Sequence, residues 1–500
     1  MPLSDYEIVI GLEVHAELKT DSKIFCACAT KFGGEPNSRA CPVCLGLPGA
    51  LPVLNEKALD YAIIAGLALN CEIAKFSKFD RKQYFYPDLP KAYQISQYDL
   101  PLCKNGWLEI SAENREAGVN KRVGIIRVHL EEEAGKTVHS GTGILDSEYS
   151  MEDYNRCGIP LIEIVGAPDL RSPKEAKEYL EKLKTLLEYT QISDCKMEEG
   201  SLRCDANISL RLRGEKEFGI LAEIKNMNSF RAVQAALEYE ATRQARLLDG
   251  GEKMVKQTRA WDEKEGITVF MRSKEEASDY RYFPDPDLAT VTIGRDRVER
   301  LRRDLPEFPD SRKTRYIDCW GLPEYDAGLI SSSRPVAEFF ETAVDLYGEA
   351  KTVGNWVMGE LLRLVNQERV ETDELKLKPE QLVKMLKLID AGAINGKIAK
   401  IVFEMMFVTG KDPEDIVKEQ GLVQISDFGE LEALVVKVLD ANSKSVADYL
   451  GGKEQALEFL VGRMMRETKG RANPGVVNQL LRKELEKHMK ARDWHEEILG

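Results

Sequence analysis

The chain has 500 residues and a formal net charge of −14. This length exceeds what one hydrophobic core usually organises, so two to four domains are expected. The negative charge excludes unselective attraction to nucleic-acid phosphates. No apolar run approaches the roughly 20 residues of a membrane helix, and no secretory signal is visible. The sequence therefore predicts a cytoplasmic protein without membrane contact.

The first part of the chain predicts mainly strands with interspersed helices. In residues 11–18 apolar side chains alternate with polar ones, which places Glu13 and His15 on one face of a strand. Residues 203–211 alternate in the same way and group Asp205, Asn207 and Ser209. A helix is predicted after residue 172, because Ser172 suits the N-cap, Pro173 the first helical position and Glu175 a capping box.

The remaining chain predicts helices in two regions, separated by a turn-forming segment at residues 410–415. The expected fold class is therefore α+β. It comprises a mainly antiparallel sheet domain at residues 1–295, an all-α domain at 296–410 and a small helical domain at 411–500.

The last helical region carries a local excess of positive charge. Between Val461 and Arg492 there are nine basic residues and three acidic ones, a balance of 9 − 3 = +6. A solvated helix face is the usual meaning of such a run. Its contrast with the acidic remainder favours contact with an RNA backbone, guided by shape.

Four cysteines form two close pairs, Cys26-Ala-Cys28 and Cys41-Pro-Val-Cys44. Two such pairs supply the four soft ligands that tetrahedral zinc prefers. Because four thiolates leave no open position, the zinc of this module at residues 26–44 is expected to be structural. The alternative is four incidental buried cysteines, since free cysteine is often buried.

Several carboxylates lie within apolar strands, where a core would not normally place them. Glu163 is the clearest case, because aliphatic residues flank it on both sides. A carboxylate in such a place is costly unless a positive charge neutralises it. Together with His15, the acids at 13, 131, 163, 205 and 223 suggest Mg²⁺ or Mn²⁺ bound with phosphates. The alternative is the solvated face of an antiparallel sheet.

Familiar nucleotide and glutaminase signatures are missing. The chain has no GxxxxGK[ST] loop, no protein-kinase signature set and no synthetase HIGH or KMSKS segment. It also lacks a Gly-Ser-rich amidase segment and a cysteine glutaminase signature. Any ATP site must therefore be unfamiliar in form, and another chain must release any nitrogen taken from glutamine.

Segments along the whole chain resemble signatures of the B subunit of the heterotrimeric GatCAB amidotransferase. They are VIGLEVHAELKT, KFDRKQYFYPDLPKAYQISQYD, HLEEEAGK, NRCGIPLIEIV, KMEEGSLRCDANISLR, EIKNMNSFRAVQAALEYE, SDYRYFPDPDL and FLVGRMMRETKGRANPGVVNQLL. The resemblance implies a cradle-shaped first domain, a helical domain and a YqeY-like tail that contacts tRNA. It also implies an ATP-dependent ligase that converts Glu-tRNA(Gln), Asp-tRNA(Asn) or both to the amide. The partners would be an amidase-type A subunit and a small C subunit.

The resemblance also assigns roles to individual residues. Mg²⁺ ligands match His15, Glu131 and Glu163, and a second cation site matches Glu13, Asp205 and Glu223. Asn207 and Ser209, on the same predicted face as Asp205, are assigned to cofactor binding. Lys82 and Glu132 match residues of the ammonia path and active site. The cysteines match a zinc site of some members, and the tail assigns tRNA contact to Arg463, Arg466, Lys469 and Arg471. One departure is Gly166-Ala167, where the family commonly has Ser-Glu, so position 167 is given no role.

Two other readings of the residues are kept open. One is a non-catalytic RNA-binding scaffold built from the cysteine module and the tail. The other is a metal-dependent hydrolase that uses the same acids, with turnover that needs neither glutamine nor mischarged tRNA. Whether ATP hydrolysis requires aminoacyl-tRNA separates these readings from the ligase.

Overall fold

The structure is a computed structural model that describes residues 3–111, 120–141, 147–273, 279–370, 372–422, 428–468 and 471–499. The chain forms two compact units, Met1–Phe308 and Pro309–Gly500. The first unit therefore extends past residue 295, the boundary expected for the sheet domain. None of the helices within the described ranges has the length and apolar character needed to cross a membrane.

In its described residues the first unit contains strands and four α-helices. Its strands are β1 (Tyr6–Glu17), β2 (Glu72–Ile73), β3 (Phe76–Ser77), β4 (Asp80–Gln83), β5 (Tyr93–Ser96), β6 (Cys103–Ser111), β7 (Asn120–Glu132), β8 (Lys136–His139), β9 (Ser150–Asp153), β10 (Pro160–Gly166), β11 (Leu202–Leu212), β12 (Ala222–Lys225), β13 (Gln257–Asp262), β14 (Ile267–Ser273), β15 (Phe283–Pro284) and β16 (Val291–Thr292). Its helices are α1 (Glu56–Ala68), α2 (Pro173–Tyr189), α3 (Phe230–Asp249) and α4 (Arg295–Arg303).

A nine-stranded sheet organises this unit, in the order β14-β13-β12-β11-β1-β10-β7-β6-β2. The β12–β13 pair is parallel, and the other neighbouring pairs are antiparallel. This confirms the expectation of a mainly antiparallel sheet combined with helices. Strand β1 lies at the centre of the sheet, so its side chains have neighbours on both sides.

One face of the sheet forms the hydrophobic core with α1, α2 and α3. The alternation seen in the sequence explains this packing: Val14, Ile164 and Ala206 are fully buried, and their polar neighbours point the other way. The predicted helix start is also confirmed, because the Ser172 hydroxyl accepts a hydrogen bond from the Glu175 amide at 3.1 Å. The core therefore leaves the opposite face of β1 and its neighbours to polar side chains.

The second unit is helical in the ranges described. Its helices are α5 (Pro309–Trp320), α6 (Glu324–Ser331), α7 (Arg334–Tyr347), α8 (Ala350–Trp356), α9 (Leu362–Glu368), α10 (Pro379–Asp390), α11 (Gly396–Thr409), α12 (Pro413–Glu419), α13 (Phe428–Ala441), α14 (Ser443–Leu450), α15 (Gln455–Glu467) and α16 (Pro474–Leu499). A π-helical turn at Val357–Leu361 joins α8 to α9. The apolar residues form two clusters, one between Tyr316 and Val417 and the other between Leu431 and Leu485.

Candidate metal centres and active site

The register of the central strands brings the predicted acidic residues together. His15 on β1 lies opposite Glu163 on β10, which lies opposite His129 on β7. On the other side of β1, Glu13 lies opposite Asp205 on β11. Directly paired residues point to the same face of a sheet. Five neighbouring strands therefore share one polar face, opposite the helix-packed core.

The histidine–carboxylate cluster consists of His15, Glu131 and Glu163, whose ligand atoms lie within 4.8 Å of one another. The Nε2 atom of His15 is 3.6 Å from both Glu131 Oε1 and Glu163 Oε2. His129 on β7 contacts the two acids of this cluster. Its Nε2 atom lies 3.2 Å from Glu163 Oε2 and 3.7 Å from Glu131 Oε2. His129 is only 2% exposed, so its contacts with these two acids are shielded from solvent.

The charges in this cluster stabilise one another. Burial acts to lower the pKa of His129, but hydrogen bonds with Glu131 and Glu163 outweigh it and raise that pKa to about 9. Burial acts to raise the pKa of Glu163, and the hydrogen bonds and charges of the two histidines lower it well below its usual range. The carboxylates are therefore ionised near neutral pH, the state in which they bind a metal ion.

The three-carboxylate cluster consists of Glu13, Asp205 and Glu223, again with ligand atoms within 4.8 Å of one another. Neutral donors orient two of them: the Asn207 amide donates to Glu13 Oε1 at 3.0 Å, and the Thr258 hydroxyl donates to Glu223 Oε2 at 2.8 Å. Burial, followed by the charge of Glu163, raises the pKa of Glu13. Ser209 is buried on the same strand as Asp205, opposite Val9 on β1.

The donor atoms of both clusters fit divalent cations. Oxygen ligands are those that Mg²⁺ prefers, and one imidazole among carboxylates also suits Mn²⁺. The third predicted group fits a different metal, because the Sγ atoms of Cys26, Cys28, Cys41 and Cys44 lie within 4.8 Å of one another. Four thiolates around one point form the donor set of a structural zinc ion.

A fully buried lysine supports the cysteine group. Lys23 is 0% exposed, and its Nζ atom lies 3.7 Å from Cys44 Sγ. The same ammonium donates to the carbonyl oxygens of Arg39 at 2.8 Å and Tyr154 at 3.3 Å. The Cys41 amide donates to Cys44 Sγ at 3.0 Å. A thiolate at Cys44 is favoured, because a hydrogen bond with Cys26, the hydrogen bond from the Cys41 amide and the charge of Lys23 together lower its pKa.

Lys82 and Glu132 lie apart from the two acidic clusters. Glu132 follows Glu131 along β7 and so points to the other side, where its carboxylate pairs with the Lys91 ammonium and accepts from the Ile95 amide at 2.9 Å. Lys82 on β4 places its Nζ atom 5.1 Å from the centre of the Tyr280 ring. The ion-pair partner of Glu132 is therefore Lys91, a residue to which the sequence gave no role.

The structure describes three of the four predicted tRNA contacts. Arg463 and Arg466 are exposed, and their spacing of three residues places them on one side of α15. Arg471 is half-buried and donates to the Thr468 carbonyl at 3.3 Å. Lys469 lies outside the described residues. The exposed pair on α15 is thus available to an anionic partner.

Sequence reasoning missed the side chains that neutralise the acids. The sequence pattern gave His129 no role, although it stands two residues before Glu131 and so shares its face. Lys225, two residues after Glu223, gave the same signal. The Arg203 pairing with Glu133 had no local signal, because the two residues come from strands distant in sequence.

Comparison with known proteins assigns the chain to a class of ligase. Residues 8–299 match the family described as GatB/GatE catalytic domain, and residues 338–485 match the family described as GatB domain. A protein of Carboxydothermus hydrogenoformans, named as the B subunit of an aspartyl/glutamyl-tRNA(Asn/Gln) amidotransferase, is 61% identical over 485 residues, which are 97% of this chain and 100% of that protein. A protein of Brevibacillus brevis with the same name is 53% identical, over 97% of this chain and 99% of its own length. The chain belongs to the GatB family of amidotransferase B subunits, which are carbon–nitrogen ligases.

Proposed function

We propose that this chain activates the side-chain carboxylate of Glu-tRNA(Gln), Asp-tRNA(Asn) or both with ATP, so that ammonia can convert it to the amide. The relatives are named as amidotransferases for these tRNAs. The structural observation that carries the proposal is the pair of metal-type clusters on one sheet face, formed from alternate residues of β1 and its neighbours.

The chemistry requires activation before amidation. A carboxylate is a poor electrophile, because its negative charge repels nucleophiles and its leaving group would be oxide. When a carboxylate oxygen attacks the γ-phosphorus of ATP, the P–O bond to ADP breaks and an acyl phosphate forms. Ammonia then adds to the acyl carbon, phosphate leaves and a proton is lost, which gives the amide.

The two clusters are assigned to the cations that this step needs. His15, Glu131 and Glu163 would hold Mg²⁺ or Mn²⁺, and Glu13, Asp205 and Glu223 a second ion. When bound, these ions offset the repulsion between the phosphates and the incoming carboxylate. The chain itself fixes the ligands: His129 orients Glu163, Asn207 orients Glu13 and Thr258 orients Glu223. Ser209 lies on the same face of β11 as Asp205 and Asn207 and would contact the bound nucleotide.

The remaining predictions complete the proposal. The amidase-type A subunit would release ammonia from glutamine, the C subunit would tie the A subunit to this chain, and Lys82 and Glu132 would border the ammonia path. Structural zinc would bind the module at residues 26–44. The cradle at residues 1–295 would bind ATP, followed by the helical domain at 296–410. In the YqeY-like tail at 411–500, Arg463, Arg466, Lys469 and Arg471 would contact tRNA, and the complex would work in the cytoplasm.

The test is amide formation on ¹⁴C-labelled Glu-tRNA(Gln), with this chain, its candidate partners, ATP, Mg²⁺ and glutamine. Gln-tRNA should form only with ATP and the partners. The Glu163→Gln complex should lose amidation and keep tRNA binding, because the substitution removes a ligand charge without changing the tail. The matched control is Glu109→Gln on β6, which alters an ion pair with Arg122 of β7 outside the site.

Normal amidation by the Glu163→Gln complex would contradict the proposal and favour the RNA-binding scaffold. ATP hydrolysis that needs no aminoacyl-tRNA would favour the metal-dependent hydrolase. Loss of tRNA binding together with amidation would indicate misfolding, which circular dichroism and gel filtration of the complex detect.

A further inference from the structure

A lysine of the chain already lies within the three-carboxylate cluster. The Lys225 ammonium forms an ion pair with Asp205 Oδ2 and lies 3.6 Å from Glu223 Oε1. Lys225 ends β12, two residues after Glu223, so both side chains point to the same face. The Asn207 and Thr258 side chains are neutral donors, whereas Lys225 brings a full positive charge to Asp205 and Glu223.

This ammonium occupies the oxygen atoms that a divalent cation would need. Asp205 offers Oδ2 to Lys225, and Glu223 offers Oε1, while its other oxygen is bound to Thr258. A cation bound to the three carboxylates would lie close to the ammonium, and like charges at that distance repel strongly. Ammonium groups also cannot coordinate a metal, since they have no lone pair. The two cations therefore exclude each other from this cluster.

The side chain of Lys225 has a way out of the cluster. The Lys225 side chain is 29% exposed in its ion pair, so part of it already borders solvent. Its four-carbon stem is flexible, and its charge is compact and well hydrated. Rotation about the stem is thus sufficient to move the ammonium away from Asp205 while the strand stays in place.

We propose that Lys225 is the internal counter-ion of the three-carboxylate cluster, and that the second divalent cation displaces it on binding. The inference rests on the proposed function only in treating the cluster as a cation site. In the metal-free state Lys225 neutralises acids that would otherwise repel one another. In the loaded state its ammonium is free on the polar face, where it can meet anionic oxygens. The exchange makes this cation site weaker than its three carboxylates alone would be.

The test measures Mn²⁺ binding to the complex of the full chain with its partners, after EDTA treatment and removal of EDTA. Free Mn²⁺ is followed by its EPR signal. The Glu163→Gln background weakens the histidine–carboxylate cluster, so the titration reports mainly on the second site. Lys225→Met in this background should tighten Mn²⁺ binding by about tenfold, the size of a moderate coupling between sites. Lys225→Arg, which keeps the charge, should bind Mn²⁺ as the parent does.

Lys121→Met is the matched control, because Lys121 on β7 also forms an ion pair, with Glu175 at 2.7 Å. This substitution should leave Mn²⁺ affinity unchanged.

Thermal unfolding supplies a second measurement: metal-free Lys225→Met should unfold at a lower temperature than the parent, and Mn²⁺ should remove the difference. Lys225→Gln, which keeps a polar end without charge, should behave as Lys225→Met does.

Unchanged or weaker Mn²⁺ binding by Lys225→Met would overturn the inference, as would a stability loss that Mn²⁺ does not restore. Absence of Mn²⁺ binding at the second site would also overturn it, because Lys225 would then have nothing to exchange with. Amidation by the parent complex is measured separately. A complex that amidates while Lys225→Met fails to tighten Mn²⁺ binding therefore keeps the proposed function and rejects the exchange.

Discussion

The two acidic clusters lie side by side on one sheet face, yet the chain neutralises them in different ways. Imidazoles of His15 and His129 approach Glu131 and Glu163, whereas an ammonium approaches Asp205 and Glu223. A deprotonated imidazole can become a metal ligand, but an ammonium must leave. The two proposed cation sites therefore differ: a cation at the first cluster would meet an imidazole that can bind it, whereas a cation at the second would have to displace an ammonium.

The largest expected effect comes from the histidine–carboxylate cluster. Glu131→Gln should reduce amidation by on the order of a thousandfold, because a lost ligand charge removes several kcal/mol of stabilisation from phosphoryl transfer. Asp205→Asn should cost less, on the order of tenfold to a hundredfold, because the proposed competition with Lys225 makes the second cation the more weakly bound of the two. Initial rates with labelled Glu-tRNA(Gln) measure both. Equal losses of amidation rate in the two variants would contradict the proposed difference between the two clusters.

A smaller effect is expected where His129 supports the acids without touching solvent. Its pKa of about 9 keeps it charged near neutral pH, so His129→Gln removes a buried positive charge beside Glu131 and Glu163. The EDTA-treated protein should lose about 2–4 kcal/mol of unfolding free energy in its first unit, and Mn²⁺ should recover part of it. Urea unfolding followed by tryptophan fluorescence measures this loss. His139→Gln, at a half-buried histidine that is hydrogen-bonded to Ser150 away from the acids, should change little.

The cysteine group extends the comparison to a site whose ligands are close in sequence. Cys41→Ser should reduce zinc from one ion per chain to nearly none, because three thiolates bind zinc far more weakly than four. Cleavage by a protease within residues 20–50 should become faster. Amidation should fall only to the extent that loss of zinc destabilises the fold of the module. Atomic absorption and limited proteolysis measure these changes. Cys319→Ser, at an exposed cysteine, should keep the zinc.

The smallest effect is expected on the tail. Replacing Arg463 and Arg466 by alanine should weaken tRNA binding by roughly threefold to tenfold per residue and lower the salt dependence of log Kd by about one to two. Filter binding at several salt concentrations measures both quantities. Lys453→Ala, at an exposed lysine paired with Asp448, is the control. An unchanged affinity and salt slope would count against tRNA contact by α15.

Local signals in the sequence predicted local structure well. The Ser172 N-cap, the two cysteine pairs and the alternation that puts Glu13 and His15 on one face all have their causes within a few residues. Register between distant strands has no such cause, so the pairing of Arg203 with Glu133 could not be derived from the pattern. Glu132 shows the same limit, because its partner Lys91 comes from a segment about forty residues away.

Strand β1 supplies ligands to both clusters, Glu13 to one and His15 to the other. The two residues are one pleat repeat apart, so the backbone itself sets their separation at about 6.6 Å. This distance follows from the extended backbone of the strand, and repacking of side chains elsewhere in the sheet changes it little. Insertion of a single residue between them would instead make one of the two side chains point into the hydrophobic core. The two proposed cation sites are therefore anchored to one strand, and a change of strand register would move both of them together.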